Sequence, residues 1–453
     1  MVYRLILFFL CFVGVGAMSA EDFMPREVRA TWMTTYGGLD WPRRKSQQRE
    51  DFCRQLDELQ ACGINTVIFQ ARVRATVLYP SQYEPWDECL TGHYGQSPNY
   101  DPLQMAVEEC HKRHMECHAW VVCFPVGKKK QNINARLKPL VQKCGDQWIM
   151  DPSKSGTADY IADICEEIVK NYDVDGIQLD YIRYPEHEIP FRMTGTAQER
   201  RDNVTRVVKT IHDRVKAVRP WVKMSCSPVG KYADLPRQSS YGWNARDAVY
   251  QDAQKWLEDG LMDWLAPMMY FDGRHFYPFV ADWATYRSGK PVVPGLGIYF
   301  LSPQEKNWDL RVITRQLHVI RQHNMGGHAF FRTRFLLDNT KGLYDFVKTF
   351  NREPALIPAM TWMDSIPPTA PKNFEFRREG YTLHFSWNAV NDDTPVRYNL
   401  YRLENGSATV LARDLRDTDF TYSPALPAYL HGTFIVTAFD AYGNESKGKK
   451  ITI

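Results

Sequence analysis

Eight times in succession a short apolar run gives way to a longer amphipathic one, and few architectures accept such a chain. The strand-like runs are Glu27–Thr35, Asn65–Ala71, Glu116–Cys123, Gly176–Tyr181, Lys223–Pro228, Met262–Tyr270, Val292–Tyr299 and Gly327–Arg332. Helical patterns lie between and after them, clearest over Arg49–Cys62, Pro102–Arg113, Thr157–Tyr172, Ala197–Val218, Trp308–His323 and Lys341–Phe350. Strands that alternate with helices pair in parallel, and eight such units close on themselves. The expected fold class is therefore α/β, a (β/α)8 TIM barrel over residues 25–352. A doubly wound open sheet is the competing arrangement, but no Gly-rich phosphate turn supports it.

The fourth run carries the most chemistry. Asp175-Gly-Ile-Gln-Leu-Asp180-Tyr-Ile-Arg-Tyr-Pro185 has strand length, with a turn signal before it and a proline after it. Side chains alternate along a strand, so Gln178 and Asp180 face one way while Ile177, Leu179 and Tyr181 face the other. The apolar side packs on helices and the other looks into the barrel. Asp175 and Asp180 stand roughly 16 Å apart at opposite ends. Only Asp180 reaches the C-terminal rim, where barrels of this kind build their sites.

The loops at that rim are long after strands two and three, Arg72 to Asp101 and Phe124 to Ser155, whereas returns at the floor, such as Cys62-Gly63-Ile64, are short. A proline-rich linker is expected over 353–369, with Ile366-Pro-Pro-Thr-Ala-Pro371 marking its end. Short alternating strands follow over 370–453, including Phe374–Phe376, Thr382–Trp387, Tyr398–Arg402, Phe420–Ser423 and Gly432–Ala438. With Trp387, Tyr398-x-x-Tyr401 and the closing Val436 to Ser446 hairpin, this segment resembles a fibronectin type III sandwich, which implies spacing or adhesion rather than chemistry.

Residues 1–20 read as a cleaved leader: Arg4, an apolar stretch from Leu5 to Gly16, then small residues to Ala20. Leu10 precedes Cys11 where a lipid-modified N-terminus wants a small residue, so a secreted or periplasmic protein is expected rather than a lipoprotein. No later run is long enough to span a membrane. The net charge of +3, with basic residues dispersed, gives no groove for nucleic acid. Of the ten cysteines, nine lie beyond the leader without paired spacing, and buried free thiols are expected. Cys110-His111 to Cys117-His118 straddles a helix end and the next strand, which scatters its side chains; no metal or cofactor is expected.

Thirteen Trp and 24 Tyr exceed what a core requires, and such rings suit the faces of sugars. Hydrolysis of a glycosidic bond needs one carboxyl to protonate the leaving oxygen and a second to attack the anomeric carbon or activate water. The rim offers Asp180 after strand four and Asp272 after strand six, with Glu84 and Glu186 in adjoining loops. Asp180 and Asp272 are the expected catalytic pair, although Asp272-Gly273 is also a common turn pair. The expected substrate contacts are Arg72, Arg74, Trp120, Tyr181, Arg183, Tyr270, Tyr299 and Arg332.

Several motifs match a known family in order. Glu27-Val-Arg-Ala-Thr-Trp32, Leu78-Tyr-Pro-Ser81, Glu84-Pro-Trp86, Leu90-Thr-Gly92, Tyr100-Asp-Pro-Leu103, His118-Ala-Trp120 and Tyr172 to Gly176 leading into Asp180 to Pro185 resemble the bacterial glycosyl-hydrolase-like family distantly related to amylases. The resemblance implies a barrel, an envelope location and glycoside hydrolysis; some members act on peptidoglycan strands stripped of stem peptides. By position, Asp180 is similar to that family's strand-four acid. The pairing with Asp272 looks like the α-galactosidase arrangement by analogy only. Two departures stand out: many relatives have Gly-Asp where this chain has Ala75-Thr76, and a second Asp where it has Tyr181. They motivate a rival reading, a catalytically silent glycan-binding protein of the envelope.

Overall fold

The computed structural model describes residues 24–42, 45–186, 190–404 and 407–453, and the expected leader lies outside them. By their contacts these residues form two compact units, Pro25–Asp364 and Ser365–Ile453, the latter including Met24.

In the first unit eight parallel strands form one curled sheet: β1 Val28–Met33, β2 Thr66–Arg72, β3 Glu116–Val122, β4 Gly176–Asp180, β5 Lys223–Cys226, β6 Trp264–Leu265, β7 Gly295–Gly297 and β8 Gly327–Phe331. Their spatial order runs β7, β8, β1, β2, β3, β4, β5, β6. Bridges Leu265↔Val292 and Met268↔Gly295 join the two ends, so the sheet is a TIM-like barrel. Helices α1 Gln48–Ala61, α2 Pro102–His111, α3 Ser155–Asn171, α4 Ala197–Val218, α5 Ala253–Glu258, α6 Tyr277–Thr285, α7 Leu310–Gln322 and α8 Leu343–Phe350 follow the strands in turn.

Alternation along each strand separates two cores. Val67, Phe69, Ile177 and Leu179 pack outward with helix residues such as Ile161 and Ile164, while Ile68, Trp120, Val122 and Trp264 fill the interior. Both faces are covered, which is why the strands read as nearly continuous apolar runs. The helices start on side-chain caps: Asp101 accepts from Leu103 N and Gln104 N ahead of Pro102, and Thr196 with Glu199 forms a capping box for α4. At the first residue of β4, a Cβ on Gly176 would lie 2.3 Å from His118 Nδ1. Glycine there lets the His118 ring pass beneath the strand.

Strands six and seven are shorter than their apolar runs. Pro267 and Pro294 have no N–H to give the ladder, and Ile298–Leu301 turns into a 3-10 helix. The stretch after β3, expected as open loop, holds a small antiparallel sheet of Pro125–Gly127, Gln147–Met150 and Val141–Cys144. The expected linker also begins later than residue 353. Leu356 exchanges backbone hydrogen bonds with Pro25 and Glu27, Ala355 and Met360 are buried, and Trp362 donates to Asp263, so this segment seals the barrel floor. Asp175 sits at the same end, where it accepts from Cys117 N and pairs with His111. Cys53, Cys62, Cys89, Cys110, Cys117, Cys123, Cys165 and Cys226 are free thiols, and no described helix is long and apolar enough to cross a membrane.

The second unit is all-β. Strands Glu375–Glu379, Thr382–Ser386 and Asp419–Tyr422 form one antiparallel sheet; Ser407–Leu415, Arg397–Glu404, Thr433–Phe439 and Lys449–Thr452 form another. Phe374, Phe385, Trp387, Leu400 and Phe434 fill the core. Ser407–Leu415 and Lys449–Thr452, both edge strands, escape the sequence pattern because edges carry charge in place of a second apolar face.

Candidate active site

Asp180 ends β4 with its side chain directed into the barrel mouth, as strand parity requires. It is 5% exposed and takes three donors: Trp120 Nε1 at 3.1 Å on Oδ2, and Ser227 Oγ and its neighbour's backbone N, Tyr181 N, both at 2.8 Å on Oδ1. The register explains the set. Val122 is the β3 partner of Asp180, so Trp120 lies one inward layer below, and Ser227 is the first inward residue past β5. Burial raises the carboxyl's pKa, against the opposing pull of Ser227, Tyr181 N, Arg183 and Trp120. A poorly solvated carboxyl held by hydrogen-bond donors suits a base or nucleophile.

A charged and aromatic rim surrounds it. Tyr181 adopts a left-handed conformation, φ 49°, which turns its ring out of the strand into solvent. The Tyr181 hydroxyl lies within reach of the charges of Asp180, Arg183, Arg74 and Glu186. The Arg183 guanidinium stacks on Tyr181 at 5.0 Å and on Trp243 at 5.3 Å, and pairs with Glu186 at 2.9 Å. Arg74 lies over Tyr36 at 4.7 Å and donates to Gln147. Across the mouth, Tyr270 contacts Tyr299 and stacks on Phe331. Burial, then the Asp180 charge and the Tyr299 and Tyr181 rings, push the Tyr270 hydroxyl well above its ordinary range; burial takes Tyr299 up to about 12. Both hydroxyls are neutral donors at any working pH.

Four expected site residues have other roles in the structure. Arg72 is fully buried, with four of its five N–H groups given to the two Glu84 oxygens and the Val122 and Cys123 carbonyls, so it is closed to a substrate. A register shift between Gln70 and Arg72 sets Arg72 opposite Val121, so it faces Tyr160 and the helix layer rather than the barrel mouth. Trp120 belongs to the barrel interior, 4% exposed, and orients Asp180 rather than offering a face to sugar. Arg332 is held by Asp40 at 2.6 Å and stacks on Phe335, bracing the β8 and β1 loops. Asp272 is exposed and caps the 3-10 turn Gly273–His275 by accepting from Gly273 N, the ordinary part of an Asp-Gly pair. The donors and cation acting on Asp180 come from β3 and from the segments that follow β4 and β5. The carboxylate that shares Arg183 with it is Glu186, not Asp272.

Sequence reasoning missed Ser227, Tyr36 and Trp243. Parity along Lys223–Pro228 already turns Ser227 inward. Tyr36 and Trp243 sit in loops beyond β1 and β5 with no periodicity to mark them.

These contacts make a pH prediction. A base must be ionised, so activity falls as pH drops through the folded pKa of Asp180. Trp120→Phe and Ser227→Ala each remove a hydrogen bond that lowers this value. The acidic limb of kcat/KM is expected to move to higher pH in both variants, by about one pH unit for a lost bond of roughly 1.4 kcal/mol. A limb that stays in place in both shows that Asp180 does not govern it.

The family described as Glycosyl hydrolase-like 10 matches residues 27–299. Glycosyl hydrolase YngK of Bacillus subtilis (strain 168) is 32% identical, with 94% of this chain and 93% of YngK covered. Glycosyl hydrolase DigH of Escherichia coli (strain K12) is 30% identical, with 57% of this chain and 67% of DigH covered. Among solved structures, the PgaB (BpsB) glycoside hydrolase domain from Bordetella bronchiseptica superposes with a TM-score of 0.54 at 13% identity, over 71% of this chain and 98% of that one. That last likeness is one of fold alone.

Proposed function

Because the chain belongs to the glycosyl hydrolase-like 10 family, we propose that it is a secreted or periplasmic glycoside hydrolase working through Asp180 and a second carboxylate at the barrel mouth. The observation that carries this reading is Asp180 itself: a buried carboxyl held by three donors on a rim of exposed rings and cations. In the proposed reaction one carboxyl gives its proton to the glycosidic oxygen as the C–O bond breaks. Asp180 either attacks the anomeric carbon or takes a proton from the attacking water.

Glu186 is the second carboxylate of the proposal. It meets Asp180 through Arg183, its carboxylate is half exposed, and its loop leaves the same strand. Asp272 is the alternative partner. The experiment is to follow reducing ends released from denuded peptidoglycan and a panel of polysaccharides by Glu186→Gln and Asp272→Asn. Glu186→Gln is expected to lose about 10²–10⁴-fold in kcat, and Asp272→Asn less than about threefold. The reverse pattern reinstates Asp272.

Denuded peptidoglycan strands lead the panel because Arg74 is a cation at the mouth able to meet a lactyl carboxylate, Arg72 and Arg183 being buried and paired with Glu84 and Glu186. The all-β unit, read as a fibronectin type III-like module, serves as a spacer. The silent-binder reading draws on Tyr181, a ring where many relatives carry a second Asp. Binding without any product from any glycan decides for it.

A further inference from the structure

The rings and guanidinia at the mouth are not scattered. Tyr36 lies in the loop after β1, Arg74 after β2, Tyr181 and Arg183 after β4, and Trp243 in the loop after β5. Arg74 covers Tyr36, the Tyr181 hydroxyl lies among the charges of Arg74 and Arg183, and Arg183 stacks on both Tyr181 and Trp243. Ring and cation therefore alternate across the β1 to β5 half of the rim, and Asp180 adjoins the middle ring. The three rings keep 45%, 39% and 38% of their surface in solvent, in the order Tyr36, Tyr181, Trp243. Arg183 is 7% exposed, and its Nε is a buried donor without a hydrogen-bond partner among the described residues.

Large rings left in water are a loss to the isolated protein unless something covers them. Here each is backed by a guanidinium, which holds the ring in place and lowers the conformational entropy lost when a ligand stacks on it. The apolar faces of pyranose units are ligands of the right shape, and a cleft of about 160 Å³ lined by Tyr36, Arg74 and Tyr94 extends the row on the β1 to β3 side. The row passes Asp180 rather than ending at it.

We propose that Tyr36, Tyr181 and Trp243 are sugar platforms on both sides of the scissile bond, so that the protein holds an extended run of a polysaccharide and cuts it internally. This rests on the hydrolase reading for the cutting but not for the holding. Units stacked on Tyr36 and on Trp243 lie on opposite sides of Asp180, an arrangement that a chain-end enzyme with a closed pocket does not need.

The test uses the full chain with Asp180→Asn, titrated with denuded peptidoglycan oligosaccharides and chitin oligosaccharides of graded length. Affinity is expected to rise with length in at least one series. Adding Tyr36→Ala or Trp243→Ala is expected to weaken the longest ligands about tenfold, roughly 1.4 kcal/mol, and Trp243→Phe to restore most of that loss. Tyr286→Ala removes an exposed ring beyond α6, at the floor end, and serves as the control. With Asp180 intact, the first products expected are long internal fragments. Binding that is absent, or equal for short and long ligands, overturns the proposal. So do Tyr36→Ala and Trp243→Ala variants that match their parent, or release of only the smallest fragments from the first time point. Length-dependent binding without products overturns the hydrolase reading instead and leaves the platforms standing.

Discussion

In Asp180→Asn, glycan hydrolysis is expected to fall by about 10²–10⁴-fold while glycan binding and the fold persist. The substitution keeps the shape and removes the charge. Its amide nitrogen must face one of three donors: Trp120 Nε1, Ser227 Oγ or Tyr181 N. Ser227 can rotate to accept, whereas an indole or backbone N–H cannot, so the loss of one hydrogen bond costs about 1–3 kcal/mol. Against this stands a gain, because burial disfavours the ionised carboxyl that the mutation removes. The two effects oppose each other, and the urea midpoint is expected to move little. Reducing-end release and denaturation together decide the matter. Unchanged turnover sinks the assignment, and a collapsed fold with lost turnover makes Asp180 a structural residue.

The largest stability effect is expected at Arg72. Its side chain and that of Glu84 are both 0% exposed, joined by two hydrogen bonds of 2.8 and 2.6 Å, and Tyr160 adds a third group on Glu84. Removing one member of such a pair leaves the other charge buried without compensation, at about 3–5 kcal/mol. Arg72→Met is therefore expected to lower the urea midpoint sharply. It also releases the Val122 and Cys123 carbonyls at the end of β3, two residues past Trp120. Arg72→Met with Glu84→Gln is expected to recover part of the loss, because the stranded charge is then gone. A single variant within about 1 kcal/mol of the parent rules out the pair as a keystone of the rim.

Much of the architecture is legible in the order of residues alone. Pairing of strands that alternate with helices is a consequence of connection length, so the barrel follows from eight repeated runs. The parity of Gly176 to Asp180 follows from the pleat, which is how Asp180 could be named as the rim acid and Ile177 and Leu179 as helix-facing. The same parity turns Trp120 inward, but it fails for Arg72, because the register shift after Gln70 sends that side chain to the helix side. What parity lacks is depth: it gives the side of a strand, not whether an inward residue ends at the open mouth or beneath it. Trp120 lies beneath, spent on Asp180, while Arg72 is closed by Glu84 on the helix side.

The sequence by itself determined the order of strands and helices, the all-β unit that follows them, and the carboxylate at the end of β4. These depend on local periods and on turn chemistry, which act over a few residues. Only the tertiary structure decided which side chains meet. Trp243 reaches Arg183 from 60 residues away in the chain, Ser227 reaches Asp180 from 47, and Arg332 is spent on Asp40 across the β8–β1 seam. Contacts of that kind depend on how loops of unequal length fold over a closed sheet, and loop conformation has no period to read. For the same reason the partner we propose for Asp180 is Glu186, which pairs with Arg183, rather than Asp272, favoured by position along the chain.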